Sequence, residues 1–150
     1  MIYIGVDPGS KSGAFALIGW DKKPLVFPWD NDDFKRKMCA VSEVAEQESA
    51  VAVVEKVGAM PKQGVSSTWN FAENFGYIQG VLHALNIPFQ LIPPRVWKGE
   101  FSLNSDKGKS TEVCHRLFPD VCLKRTENHR TDDSNLAEAL LMAEYGRRKL

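Results

Sequence analysis

Asp7 closes the run Ile2-Tyr3-Ile4-Gly5-Val6, and Glu55 closes the run Ala50-Val51-Ala52-Val53-Val54. Each run is short, apolar and β-branched, as a buried strand reads. A charge carried to the end of such a strand is costly unless something answers it. Two carboxylates placed alike on two strands therefore point to one shared site. Further acids stand at Asp132-Asp133, and Glu138 follows among Ala137, Ala139, Leu140 and Leu141, on or near the packed face of a helix.

Carboxylates drawn from separate elements suit one chemistry. Hard oxygens hold Mg²⁺, which keeps some of its waters. Two such ions about 4 Å apart can activate a water and steady the leaving oxygen of an in-line attack on a phosphodiester. An acidic cluster repels itself when empty, which favours bound metal or raised carboxyl pKa values. Each piece also has a plainer reading. Asp7-Pro8-Gly9 is a turn, Glu55 pairs with a lysine, Asp132 or Asp133 caps a helix, and Glu138 faces solvent. The joint occurrence of all of them favours the site.

The elements that must position these acids follow from the hydrophobic pattern. Strands are expected over Ile2 to Val6, Gly13 to Ile18 and Pro24 to Phe27. Asp30-Asn31-Asp32-Asp33 precedes a helix expected over about Phe34 to Glu48. Ala50 to Val54 is a continuous apolar run, the mark of a strand covered on both faces. Residues 57–65 form a loop, and Ser66-Ser67 can cap a long helix running to about Asn86. That helix carries Trp69, Ala72, Phe75, Gly76, Leu82 and Leu85 at helical spacing. Phe89 to Ile92 reads as a strand stopped by Pro93-Pro94. Helices are expected over Lys109 to Phe118 and Ser134 to Arg148, the latter capped by Asp133. Three antiparallel-compatible strands followed by strand–helix alternation predict an α/β fold, a mixed sheet with helices on its faces.

The 150 residues fit one domain with one core, and 43% apolar with 25% charged residues is ordinary globular usage. No apolar run approaches a membrane span, and the chain opens without a signal peptide, so no membrane partner is expected. An odd set of cysteines, Cys39, Cys114 and Cys122, argues for a reducing compartment. Cys114, His115, Cys122 and His129 match no common zinc spacing. The 19 basic and 19 acidic side chains cancel, which argues against a nonspecific nucleic-acid coat. Residues 95–130 nonetheless carry eight Lys/Arg against five Asp/Glu.

Ile4-Gly5-Val6-Asp7-Pro8-Gly9-Ser10, Val53-Val54-Glu55-Lys56-Val57 and Leu136-Ala137-Glu138-Ala139-Leu140-Leu141-Met142-Ala143 occur in this order over nearly the whole chain. Together they resemble the RuvC family of Holliday junction resolvases, particularly its short phage-encoded members. The resemblance implies a ribonuclease H-like mixed five-stranded sheet flanked by helices, in one nuclease domain over residues 1–150. It implies a cytoplasmic homodimer that uses Mg²⁺, with Mn²⁺ able to substitute. Its partner would be branched DNA, above all four-way junctions, nicked in opposing strands.

Carried over by motif, the acidic tetrad falls on Asp7, Glu55, Asp133 and Glu138. The family places its third acid three to five residues before the last. Asn135 and Ser134 stand three and four before Glu138, so Asp133 takes that role, with Asp132 as the alternative. Arg95-Val96-Trp97-Lys98 and Lys107-Gly108-Lys109-Ser110 resemble the family's basic segments, which implies DNA contacts at Lys98, Lys107, Lys109 and Ser110. A solvated basic surface is the plain alternative for them. Where some members carry an aromatic wedge, this chain reads Gly58-Ala59-Met60, so the wedge is absent or replaced by Met60 or Trp69. Gly76 and Gly80 on the long helix suit either a dimer contact or close packing on the protein's own sheet.

Other classes compete. Another ribonuclease H-like nuclease, acting on RNA–DNA hybrids or as a transposase-type strand cutter, would use the same carboxylates. An ATPase of the actin or sugar-kinase type shares the Asp-x-Gly turn but needs two lobes. A pure junction binder would gain nothing from acids facing phosphate.

Overall fold

The computed structural model describes residues 1–45 and 49–150, and of Lys107 only the backbone. Strands β1 (Ile2–Asp7), β2 (Ala14–Ile18) and β3 (Leu25–Pro28) come first, then helix α1 (Asn31–Ala45). Strand β4 (Ala50–Glu55), helix α2 (Val65–Ala84) and strand β5 (Phe89–Ile92) follow. Helices α3 (Pro94–Glu100), α4 (Lys107–Leu117) and α5 (Ser134–Lys149) complete the order. The end expected for α1 at Glu48 lies outside the described residues.

The strands form one mixed sheet in the order β3-β2-β1-β4-β5. β1 pairs antiparallel with β2, and β2 with β3, while β1–β4 and β4–β5 are parallel. This is the expected α/β architecture, helices on both faces of a five-stranded sheet.

Successive side chains of a strand point to opposite faces, and that period sorts the core. Ile2, Ile4, Val6, Phe15, Leu17, Ala52 and Val54 pack with Phe34, Met38 and Val41 of α1 and Ile78 and Leu82 of α2. Each large aliphatic or aromatic side chain among these contributes about 1.5–3 kcal/mol by leaving water. Ala14, Ala16, Ile18 and Val53 face the other way, onto Trp97 of α3, Cys114 of α4 and the buried stripe of α5. Asp7 shares the parity of Tyr3 and Gly5, and Glu55 that of Val53. Both acids therefore belong to the face that α5 covers.

Small residues let α5 lie close to the sheet. A Cβ built on Gly5 would fall inside the Ala139 carbonyl oxygen and the Ala143 amide nitrogen. Gly146 also packs close to the sheet, where an added Cβ would come within 3.1 Å of the Val53 side chain and 3.6 Å of the Tyr3 ring. Glu144, only 1% exposed, is held by Arg147 and Arg148, which pins the end of α5. Burial pushes its carboxyl up, and the hydrogen bonds and charge of the two arginines outweigh that and hold it below the usual range.

Three local expectations differ from the structure. Pro93-Pro94 stops β5 at Ile92 as expected but also opens α3, a helix not expected there, with Pro94 in its first turn. The N-cap of α2 is Gly64, not Ser66 or Ser67, and no side chain caps it. Trp69 is 71% exposed rather than part of the apolar face, because the buried stripe runs through Asn74, Ile78 and Leu82. Among the described residues no helix is long and apolar enough to cross a membrane.

Candidate active site

The carboxyl ends of parallel strands are where open α/β sheets take ligands. Asp7 and Glu55 lie there, each one residue beyond the Val6–Val54 pair of the parallel β1–β4 ladder. Glu138 approaches from α5. The three line one cleft of about 670 Å³ together with Lys98, Asn135 and the loop that follows β4.

The turn after Asp7 is closed on itself. The Gly13 amide donates to the Gly9 carbonyl at 3.0 Å. A Cβ on Gly13 would strike the backbone of Gly9 and Asp7, so no larger residue fits this turn. Asn74, buried on α2, donates its side-chain amide to the Pro8 carbonyl at 2.9 Å. That bond explains a polar residue in the buried stripe of α2, since an unpartnered carbonyl there would be costly.

Helix α3 serves the other two acids. The Trp97 indole N–H donates to Glu55 Oε2 at 2.9 Å. Lys98 Nζ lies 3.0 Å from Glu138 Oε1, and the Ser110 hydroxyl donates to the same oxygen at 3.2 Å. Glu138 is 6% exposed, so these partners carry the burden of keeping a carboxylate buried.

Asp133 stands apart from the cleft lining. One of its oxygens caps α5, accepting from the amides of Asn135 at 2.8 Å and Leu136 at 3.4 Å. The other meets Arg125 Nε at 2.5 Å. Arg125 also donates to the carbonyls of Ser12 and Gly13 at 2.8 and 3.2 Å. Asp133 thus ties the start of α5 to the turn that presents Asp7. The reserve position, Asp132, pairs with His115. The residue that joins the acids from this end of the chain is Asn135. Its three-residue spacing to Glu138 puts both on one helix face, a signal the spacing already held.

Burial pushes the Asp133 carboxyl up, but Arg125 and the backbone amides outweigh it and hold it below the ordinary 3.8. A depressed folded-state pKa contributes stability above the unfolded value and loses it as pH falls through the folded one. Asp133→Ala is therefore expected to cost about 1–2 kcal/mol at pH 7 through the lost cap. Urea unfolding at pH 7 and pH 3 should show that gap narrowing in acid. A gap independent of pH would mean the carboxylate does not carry the effect.

The basic positions divide. Lys98 lines the cleft and Lys109 is exposed. Ser110 is 2% exposed and spends its hydroxyl on Glu138, so burial closes it to the DNA contact expected of it. The side chain of Lys107, and with it the contact expected there, lies outside the described residues. Trp97 and Arg125 were not expected at the site. A tryptophan beside a Pro-Pro pair and an arginine in a loop carry no periodic signal.

The donor set suits a hard divalent cation, since three carboxylates and the Asn135 amide offer oxygen, and neither thiol nor imidazole is among the residues that line the cleft. Among the described residues no three His, Cys, Asp or Glu side chains form a ready metal cage. The acids are brought to one cleft without being collapsed on one point. Cys114 is no alternative ligand or nucleophile, because burial and then the charge of Glu138 push its thiol up to about 12.

No family model matches the chain, and no curated protein matches its sequence. Solved structures do match in shape. The RuvC structure of Thermus thermophilus superposes with a TM-score of 0.61 at 11% identity, covering 99% of this chain and 96% of that one. The same organism's RuvC in complex with a Holliday junction substrate gives 0.61 at 15% identity, over 99% and 95%. The yeast mitochondrial Holliday junction resolvase Ydc2 gives 0.50 at 12% identity, over 97% and 77%. The resemblance read from three short motifs thus extends to the fold, which this chain shares with the solved RuvC structures.

Proposed function

We propose that this protein is a metal-dependent endonuclease that nicks branched DNA, four-way junctions foremost. One observation carries the reading: Asp7, Glu55 and Glu138, from elements far apart in sequence, share one cleft on a resolvase-like fold. Asp7, Glu55 and Glu138, with Asn135 as a neutral donor, are the residues that would hold Mg²⁺ or Mn²⁺. A bound ion would supply charge for the phosphate and a more acidic water.

The chain's own groups do the rest. Trp97 keeps one Glu55 oxygen in place. The Arg125–Asp133 bridge fixes the Asp7 turn against the start of α5. Lys98 inside the cleft, Lys109 outside it, and Lys107 are the proposed phosphate contacts, local charge on a molecule with no net charge. A homodimer is part of the proposal. Gly76 and Gly80 of α2 would meet nothing within 4 Å if given a Cβ, so they face outward and not onto the protein's own sheet. A cytoplasmic setting, in a host cell if the chain is phage-encoded, completes it.

The test compares a labelled four-way junction, a linear duplex and an RNA–DNA hybrid, each with and without Mg²⁺. Paired nicks in the junction alone, and only with Mg²⁺, are expected. Preferred cutting of the hybrid would favour a different ribonuclease H-like nuclease. Junction binding without cutting under any divalent ion would leave a binding protein.

A further inference from the structure

Helix α3 sets two consecutive side chains on two acids of the cleft. Trp97, fully buried, gives Glu55 a neutral donor, and Lys98 gives Glu138 a cation. The lining holds three carboxylates, Asp7, Glu55 and Glu138, against two ammonium groups, Lys56 and Lys98. Lys56 is exposed, whereas the side chains of Lys98 and Glu138 are 22% and 7% exposed. A nearly buried carboxylate needs a counter-ion. Lys98 is that counter-ion.

A divalent ion that Glu138 ligates through Oε1 would compete with Lys98 for that oxygen. Two cations on one carboxylate oxygen repel each other, and the shorter-reached, doubly charged one has the stronger claim. Lysine is built for release, being a point charge on a flexible four-carbon stem rather than a planar fork. The ammonium would then lie on the cleft wall without its carboxylate, where a DNA phosphate is the anion that can receive it.

Resting on the proposed nuclease reading, we infer that Lys98 is an exchangeable counter-ion. It occupies Glu138 until a divalent cation replaces it, and then turns to substrate phosphate. The exchange couples the two ligands. Metal alone must displace a lysine whose nearby anions are carboxylates the metal also claims, whereas metal with DNA displaces one that can move to phosphate. Each ligand thereby raises affinity for the other, as linkage requires.

The test is Mn²⁺ titration by calorimetry, without DNA, of wild type, Lys98→Met, Lys98→Arg and Lys23→Met. Lys23 is exposed and pairs with Asp120 at 4.0 Å, so it controls for loss of a charge elsewhere. Lys98→Met is expected to bind Mn²⁺ about fivefold or more tightly than wild type, the lower range of ordinary coupling, with Lys98→Arg and Lys23→Met near or below wild type. A second measurement separates exchange from mere charge removal. Acylation of Lys98 in the wild type, followed by mass spectrometry, should speed up when Mn²⁺ is added. Unchanged or weaker Mn²⁺ binding by a folded Lys98→Met, or Lys98 acylation indifferent to Mn²⁺, would overturn the exchange and leave the nuclease reading intact. Wild type that binds no Mn²⁺ at all would overturn both.

Discussion

Asp7→Asn is expected to cut junction nicking by about three orders of magnitude, the size of a lost metal-ion contribution of several kcal/mol. The asparagine keeps the shape of the β1 end and one oxygen but removes the charge that a divalent ion requires. Junction binding should persist or tighten, because a negative charge near phosphate is gone. Single-turnover nicking and a band-shift assay without Mg²⁺ separate the two effects. A wild-type nicking rate would sink the proposed function, whatever the fold resembles. Loss of binding together with nicking would instead point to a damaged turn, where the Gly13–Gly9 bond and Asn74 hold the backbone.

Gly5→Ala should be among the most damaging single-methyl changes in the molecule. The added carbon would meet backbone atoms of Ala139 and Ala143, which cannot rotate away as a side chain can. α5 must shift outward or β1 must bend. Overpacking of this kind costs about 3 kcal/mol or more when the neighbour is backbone. In a chain of this size that lowers the melting temperature by roughly 6–12 °C. Activity should fall further than the folded fraction does, because Glu138 rides on the displaced helix beside Asp7. Gly99→Ala, with nothing within 4 Å, is the control and should be neutral or stabilising by up to about 1 kcal/mol. Equal behaviour of the two variants would show that the close approach of α5 to β1 is not real.

What the sequence revealed depended on whether a signal was local and periodic. β1, β4 and α5 could be read because apolar runs and a helical stripe announce themselves, and Asp133 capping α5 was legible from its type and place. Glu138 could be placed on the packed face from its alanine and leucine neighbours. α3 could not. Proline at the first turn of a helix loses no bond, so the same Pro-Pro pair that stops a strand also starts a helix. Trp69 was misassigned because hydrophobicity was taken for burial, while the true stripe includes the polar Asn74. The contrast between Asp133 and Asn135 turned on tertiary contact. Arg125 claims the aspartate from a loop, and nothing in the spacing of the acids could show that.

α5 both covers the sheet and carries Glu138, and it follows every strand in the chain. Synthesis runs from the N-terminus at about 5–20 residues per second, so Glu138 emerges on the order of ten seconds after Asp7. Until then a growing chain has Asp7 and Glu55 but no third acid, and the sheet face of Ala14, Ala16 and Val53 lacks its cover. A polypeptide released early would be a sticky sheet with an incomplete cleft. The helix that covers the sheet also completes the cleft, so under the proposed function a chain released before α5 would lack Glu138 and with it the means to cut.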